Sequence, residues 1–142
     1  MALAPWIAPP VLAEYVHNVG IRFRRQVRGH TRHVGDASAI VEACIDACWN
    51  GRTFTASPGH FDMFWTRDLS FSVPSLIRLG HGSRVSESLA YALDVWTRRR
   101  RHITTTIHYF GRPGDVYEYG VDSLPLFLAA LRSAGAIDLV ER

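Results

Sequence analysis

The sequence contains no lysine: its 16 basic residues, histidine aside, are all arginine. Surfaces shaped for solubility or for nucleic acid normally mix the two cations. Total absence of one points to a GC-rich coding bias, so runs of Arg carry little functional weight on their own. No apolar run reaches the roughly 18–20 residues of a membrane-spanning helix, and no such helix is expected. Residues 1–13 hold no Arg and are broken by Pro5, Pro9 and Pro10, so no secretory signal is expected either. Cysteine is scarce. Cys44 and Cys48 stand four apart, too few for a disulfide framework and without the further ligands a metal site needs. They read as a reduced, cytoplasmic pair filling a core, and neither a metal nor a cofactor is expected.

What is present is globular. Hydrophobic residues make up 47% and charged residues 20% of 142, which excludes disorder and suits one small domain or a piece of a larger one. Charge is uneven. Five Arg against Glu14 give residues 1–35 a net +4, and eleven Arg against twelve acids give the remainder −1. Residues 1–35, with prolines at one end and Arg at the other, predict an extended or irregular arm, including a short strand within Val11 to Phe23. Residues 36–142 predict a helical domain. Asp36 is a candidate N-cap and Gly51 a stop for a first helix. Its Ile40, Val41, Cys44, Ile45, Ala47, Cys48 and Trp49 are apolar nearly all round, which predicts burial between partners.

A second helix is expected between Thr66 and Leu79, capped by Asp68 or by Ser72. Pro74 would kink it in the first case and sit harmlessly in the first turn in the second. Gly80 and Gly82 close it. A third helix opens at Ser83, with Val85, Leu89, Ala92, Leu93 and Trp96 as its inner stripe and Arg98 to Arg101 at its end. The fourth begins near Asp122 or Ser123, takes Pro125 in its first turn, turns Leu126, Ala129, Ala130 and Ser133 or Ala134 inward and stops at Gly135. The long connections, Gly51 to Met63 and Ile103 to Gly120, are the first and third, so antiparallel helices place both at one end. Gly111-Arg112-Pro113-Gly114-Asp115 is the expected turn of the second, and Thr104-Thr105-Thr106 a strand-like edge. The tail from Ile137 reads as the start of a further element.

The most unusual stretch is Phe61-Asp62-Met63-Phe64-Trp65-Thr66-Arg67-Asp68. An aromatic face can stack on a pyranose, while Arg and Asp take neighbouring hydroxyls through charge-assisted hydrogen bonds. The plainer alternative is that Trp65 anchors a loop and Arg67–Asp68 is an ion pair at a helix start. Phe64-Trp65-Thr66-Arg67-Asp68, then Leu76-Ile77-Arg78-Leu79-Gly80, Glu87 and Gly120-Val121-Asp122-Ser123-Leu124-Pro125, resemble the early part of six-hairpin glycosidases. That superfamily includes glucoamylases, trehalases and glycogen-debranching enzymes. The resemblance implies an all-α fold, two helical hairpins of an incomplete (α/α)6 toroid. It implies a sugar-binding subsite of Trp65, Arg67 and Asp68, with Asp122 as a further candidate, acting on α-glucosides or related glycans. The catalytic acid and base of such enzymes come from later helices, so they are expected beyond the C-terminus and the isolated chain is expected to be inactive.

Other readings are weaker. Asp115 and Glu118 share the second long loop and could join Asp68 as carboxylates. His30 and His33 lack acidic or thiol companions at metal-ligand spacing, and His102 and His108 form no ligand set. The Arg-rich segments could grip phosphates, but no nucleic-acid motif is present. The expected partner is therefore a carbohydrate, with no nucleic acid and no membrane. The rival function is a non-enzymatic helical protein that associates through exposed apolar faces, with itself or with a missing remainder of the toroid.

Overall fold

The structure, a computed structural model, describes residues 9–28, 32–59, 61–99, 102–108, 110–116 and 120–140. His30, Arg100, Arg101 and Glu118 lie outside the described residues. The chain forms two compact units, Met1–Ala43 and Cys44–Arg142.

The first unit corrects the expected arm. Residues Pro9–Arg28 form helix α1. Leu12, Val16, Val19, Phe23 and Val27 recur every three or four residues, the period of a helix, and that spacing outweighs their β-branched content. Pro9 and Pro10 fall in the first turn, where a missing N–H costs nothing. Helix α2, Ala37–Ala47, begins as expected: Asp36 Oδ1 accepts the Ala39 N–H at 2.8 Å. Its expected burial is not found. No α2 residue is buried, and Ile40 and Val41 face solvent.

The second unit is mixed α and β, which overturns the all-α toroid. Strand β1 (Phe64–Trp65) runs without a break into α3 (Thr66–Arg78). A tight turn leads to α4 (Gly82–Arg99), then strands β2 (Thr106–His108) and β3 (Arg112–Gly114), α5 (Ser123–Ser133) and a 3-10 turn, Ile137–Val140. The sheet is antiparallel in the order β1-β2-β3, with Phe64 opposite Ile107 and Trp65 opposite Thr106. The residues just after the first long connection do meet the second, but as paired strands. Their Phe, Trp, Thr and Ile are residues that suit a pleated, half-buried surface. Arg112–Gly114 is a strand rather than the turn. Pro113 is accommodated there because β3 is an edge of the sheet.

Glycine closes two helices by one device. At Gly80 (φ +91°), the His81 N–H reaches the Leu76 carbonyl at 2.9 Å and the Gly80 N–H reaches Ile77 at 3.0 Å. At Gly135 (φ +63°), Ala136 reaches Leu131 at 2.9 Å and Gly135 reaches Arg132 at 3.1 Å. Both are Schellman endings that satisfy carbonyls otherwise left open. Gly82 does not help end α3; it opens α4, so Ser83 is not the cap. Neither Asp68 nor Ser72 caps α3, and Pro74 lies well inside it.

The core of the second unit joins β1, β2, α3, α4 and α5. Phe64, Leu69, Val73, Val85, Leu89, Ile107, Phe127 and Leu131 are buried around Trp96. The Trp96 ring meets Phe127 edge-on at 4.8 Å and Phe64 at 5.9 Å. On α4, Val85, Leu89, Ala92 and Trp96 face inward as the period predicts, with Ser88 and Val95 added. On α5 the inner residues are Ser123, Phe127, Ala130 and Leu131, a register shifted from the expected Leu126 and Ala129. Trp96 Nε1 donates to Thr104 Oγ1 at 2.8 Å, and Thr104 Oγ1 donates to the Thr106 carbonyl at 2.8 Å.

Thr104→Val should leave the Trp96 indole N–H buried without an acceptor, at a cost of about 1–3 kcal/mol. Adding Trp96→Phe removes that orphan. In a denaturant-unfolding double-mutant cycle, the pair should therefore be less destabilised than the sum of the single changes.

Candidate functional site

The site grows from the junction of β1 and α3. Trp65 is extended (φ −121°, ψ 120°) and stands where a helix cap would be, yet no side chain caps α3. The sheet takes over that task. The Thr66 N–H donates to the Thr105 carbonyl at 2.9 Å, and the Thr66 hydroxyl donates to the Thr104 carbonyl at 2.6 Å. With Phe64 and Thr66 buried on one side, strand alternation turns Trp65 to the other. Arg67 and Asp68 follow in the first, exposed turn of α3, where an acid also suits the helix dipole.

Trp65, Arg67 and Asp68 line one cleft of about 490 Å³. Leu69, Phe71, Ser72 and Leu76 continue its α3 wall, and Cys44, Ile45, Cys48, Phe54, Thr55 and Ala56 form the opposite side. Trp65 is half-buried, and Phe61 meets its ring edge-on at 5.7 Å. The Trp65 Nε1–H is buried without a hydrogen-bond partner. The cleft is thus an apolar slot with an Arg, an Asp and hydroxyls of Ser72 and Thr55 among its lining.

Asp122 is placed differently. It does not line the cleft but pairs with the Arg67 guanidinium, bridging the start of α5 to the start of α3. Both side chains are solvent-accessible, so the pair orients the guanidinium more than it stabilises the fold. Gly120 makes this approach possible. A Cβ there would lie 2.5 Å from Thr105 Cγ2 and 2.7 Å from Ser123 Oγ. Asp115 serves the hairpin: Oδ1 accepts the Thr105 N–H at 2.9 Å, and Oδ2 lies 3.6 Å from His102 Nε2.

No family model matches the chain, and no curated protein or solved structure matches it. The site is therefore defined by its own geometry.

The cysteines are free, and only Cys48 packs against the core. Cys44 is exposed, Cys48 is half-buried, and both line the cleft. Burial raises the Cys48 thiol above its ordinary pKa, with Cys44 and Asp62 adding to the shift. Within the second unit, Arg84 holds Asp46 at 2.5 Å and lies over the Trp49 ring at 5.6 Å. Among the described residues no three His, Cys, Asp or Glu gather to hold a metal ion.

The cleft wall beyond Asp68 was missed by sequence reasoning, although a signal for it existed. Trp65, Asp68, Leu69, Ser72 and Leu76 follow i, i+3, i+4, i+7 and i+11, one continuous helical stripe. The denser aromatic-Arg-Asp cluster at its start masks that longer period.

Two outcomes are expected. Cys44 should be alkylated faster than Cys48 at mildly alkaline pH, because the raised Cys48 pKa keeps less of it as reactive thiolate; peptide mass spectrometry reads the two rates. Gly120→Ala should destabilise the protein by about 1–3 kcal/mol through overpacking against Thr105, as measured by denaturant unfolding.

Proposed function

We propose that the cleft is a carbohydrate-binding subsite for an α-glucoside or related glycan, used here for binding rather than hydrolysis. The observation that carries this reading is the joint lining of one cleft by a half-buried indole, a guanidinium and a carboxylate. Trp65 offers its ring face to a sugar. Arg67, steadied by Asp122, donates to ring hydroxyls, and Asp68 accepts from them. The resemblance to six-hairpin glycosidases supports the same three residues. It supplies no hydrolytic pair: Asp68 is the one acid among the described residues lining the cleft. Cleavage requires two carboxyls about 5–9.5 Å apart across the bond. Asp115 and Asp122 are engaged with the hairpin and with Arg67.

Titration of the full chain with maltose or trehalose should change its intrinsic tryptophan fluorescence. Trp65→Phe should remove the change. Asp68→Ala should weaken binding about tenfold or more, the cost of losing a charged hydrogen-bond partner. Both sugars leaving the wild-type spectrum unaltered would refute the reading.

A second reading, association through apolar surface, is favoured by a different observation. Val121, Leu124 and Leu128 are exposed three and four residues apart along the start of α5, and Phe71 and Leu79 are exposed on and just after α3. On that reading the chain self-associates, and Leu124→Asp shifts it toward monomer in sedimentation velocity.

A further inference from the structure

Helix α1 carries an apolar arc that no described residue of its own unit covers. Leu12, Tyr15, Val16, Val19, Phe23 and Val27 are between 43% and 68% exposed. With 3.6 residues per turn, these six positions fall within an arc of about 120°. Positions 22, 24, 25 and 28, all Arg, fall outside it, with position 22 beside one margin. Glu14 is the sole acid among residues 1–35. Low overall hydrophobicity, a one-sided apolar arc and a cationic remainder are the pattern of a helix that lies in a bilayer interface.

From this combination we infer that α1 docks on the surface of an anionic lipid bilayer. Its apolar arc enters the boundary between headgroups and acyl chains, and its Arg side meets lipid phosphates. Tyr15 at the margin of the arc suits headgroup depth, where an amphipathic ring is favoured. No described helix is long and apolar enough to cross a membrane, so the helix lies on the surface rather than spanning it. The expectation of no membrane partner rested on that lack of a span and on an extended arm. A surface helix needs no span, and the arm is helical.

Charge separates the lipid from its rivals. Pairing the arcs of two copies would cover the apolar residues but leave the Arg positions, which lie outside the arc, without an anionic partner. Nucleic acid would satisfy the Arg positions but leave the apolar arc in water. An anionic bilayer satisfies both faces at once.

The test uses the full chain in co-sedimentation with vesicles of phosphatidylcholine alone, or with phosphatidylglycerol added. Binding should be at least tenfold stronger to the anionic vesicles. It should weaken as salt rises, by roughly fivefold for each Arg whose attraction to the anionic surface is screened out. Phe23→Asp should abolish binding while Phe23→Leu keeps it. Arg22→Ser with Arg25→Ser should lower it about 25-fold by the same per-residue contribution, and does not alter the arc. Equal partition into both vesicle types, no binding to either, or wild-type binding by Phe23→Asp would overturn the proposal. So would a lipid-free dimer that Phe23→Asp dissolves, since the arc would then be a protein interface.

Discussion

The hydroxyl of Thr104 is the point on which the second unit turns. It accepts the indole N–H of Trp96 and donates to the Thr106 carbonyl, while the Thr104 carbonyl receives the Thr66 hydroxyl. One residue thereby ties the end of α4's core stripe to strand β2 and to the first residue of α3. Such a buried polar network is stable only when every member has a partner, and that requirement fixes geometry more sharply than apolar packing does. The packing around it is the aromatic trio Phe64, Trp96 and Phe127, drawn from a strand and two helices. Without the hydroxyl, the trio could bury its area in several arrangements. With it, the junction of β1 and α3 has one.

That junction is what orients the cleft. A helix normally completes its first turn with a side-chain cap, and α3 has none. Because the neighbouring strand supplies the backbone partner of Thr66, residues 65, 67 and 68 are released from structural duty. They are left as an indole, a guanidinium and a carboxylate beside an apolar slot. The Asp122 contact extends the same logic to α5. Gly120 lets the chain pass close to Thr105, and Asp122 then meets Arg67.

Three helix ends were legible in the sequence. Gly80 and Gly135 mark positions where the chain must adopt positive φ, and Asp36 caps as its side-chain chemistry dictates. The stripe of α4 was legible for the same reason, a local period over many residues. What was not legible depends on partners distant in sequence. Phe64–Trp65 is too short to declare itself as a strand, and although Thr104-Thr105-Thr106 reads as a strand-like edge, its partner lies across about forty residues of intervening chain. In α1, β-branched residues and prolines argued locally against the helix that the spacing of its apolar positions favours. In α5, Leu126 and Phe127 are adjacent, and it is Phe127 that turns inward, where it meets Trp96 in the core. Of the site, Trp65, Arg67 and Asp68 stood out by composition. The role of Asp122 as the counter-ion of Arg67, rather than as part of the lining, required three dimensions.

Strand β1 is only two residues long and leads straight into a helix. Its two aromatic rings therefore have opposite fates decided by parity alone: Phe64 is sealed in the interior and Trp65 opens onto the cleft. A slip of a single place in its pairing would exchange them, putting an indole with a polar nitrogen into the hydrocarbon centre and a phenyl at the mouth. Only the tip of the preceding loop can lengthen at modest cost, because Phe54 is buried and Phe54, Thr55 and Ala56 line the cleft. Between Phe64 and Thr66 no such freedom exists. An insertion there would not merely displace the cleft but turn it inside out.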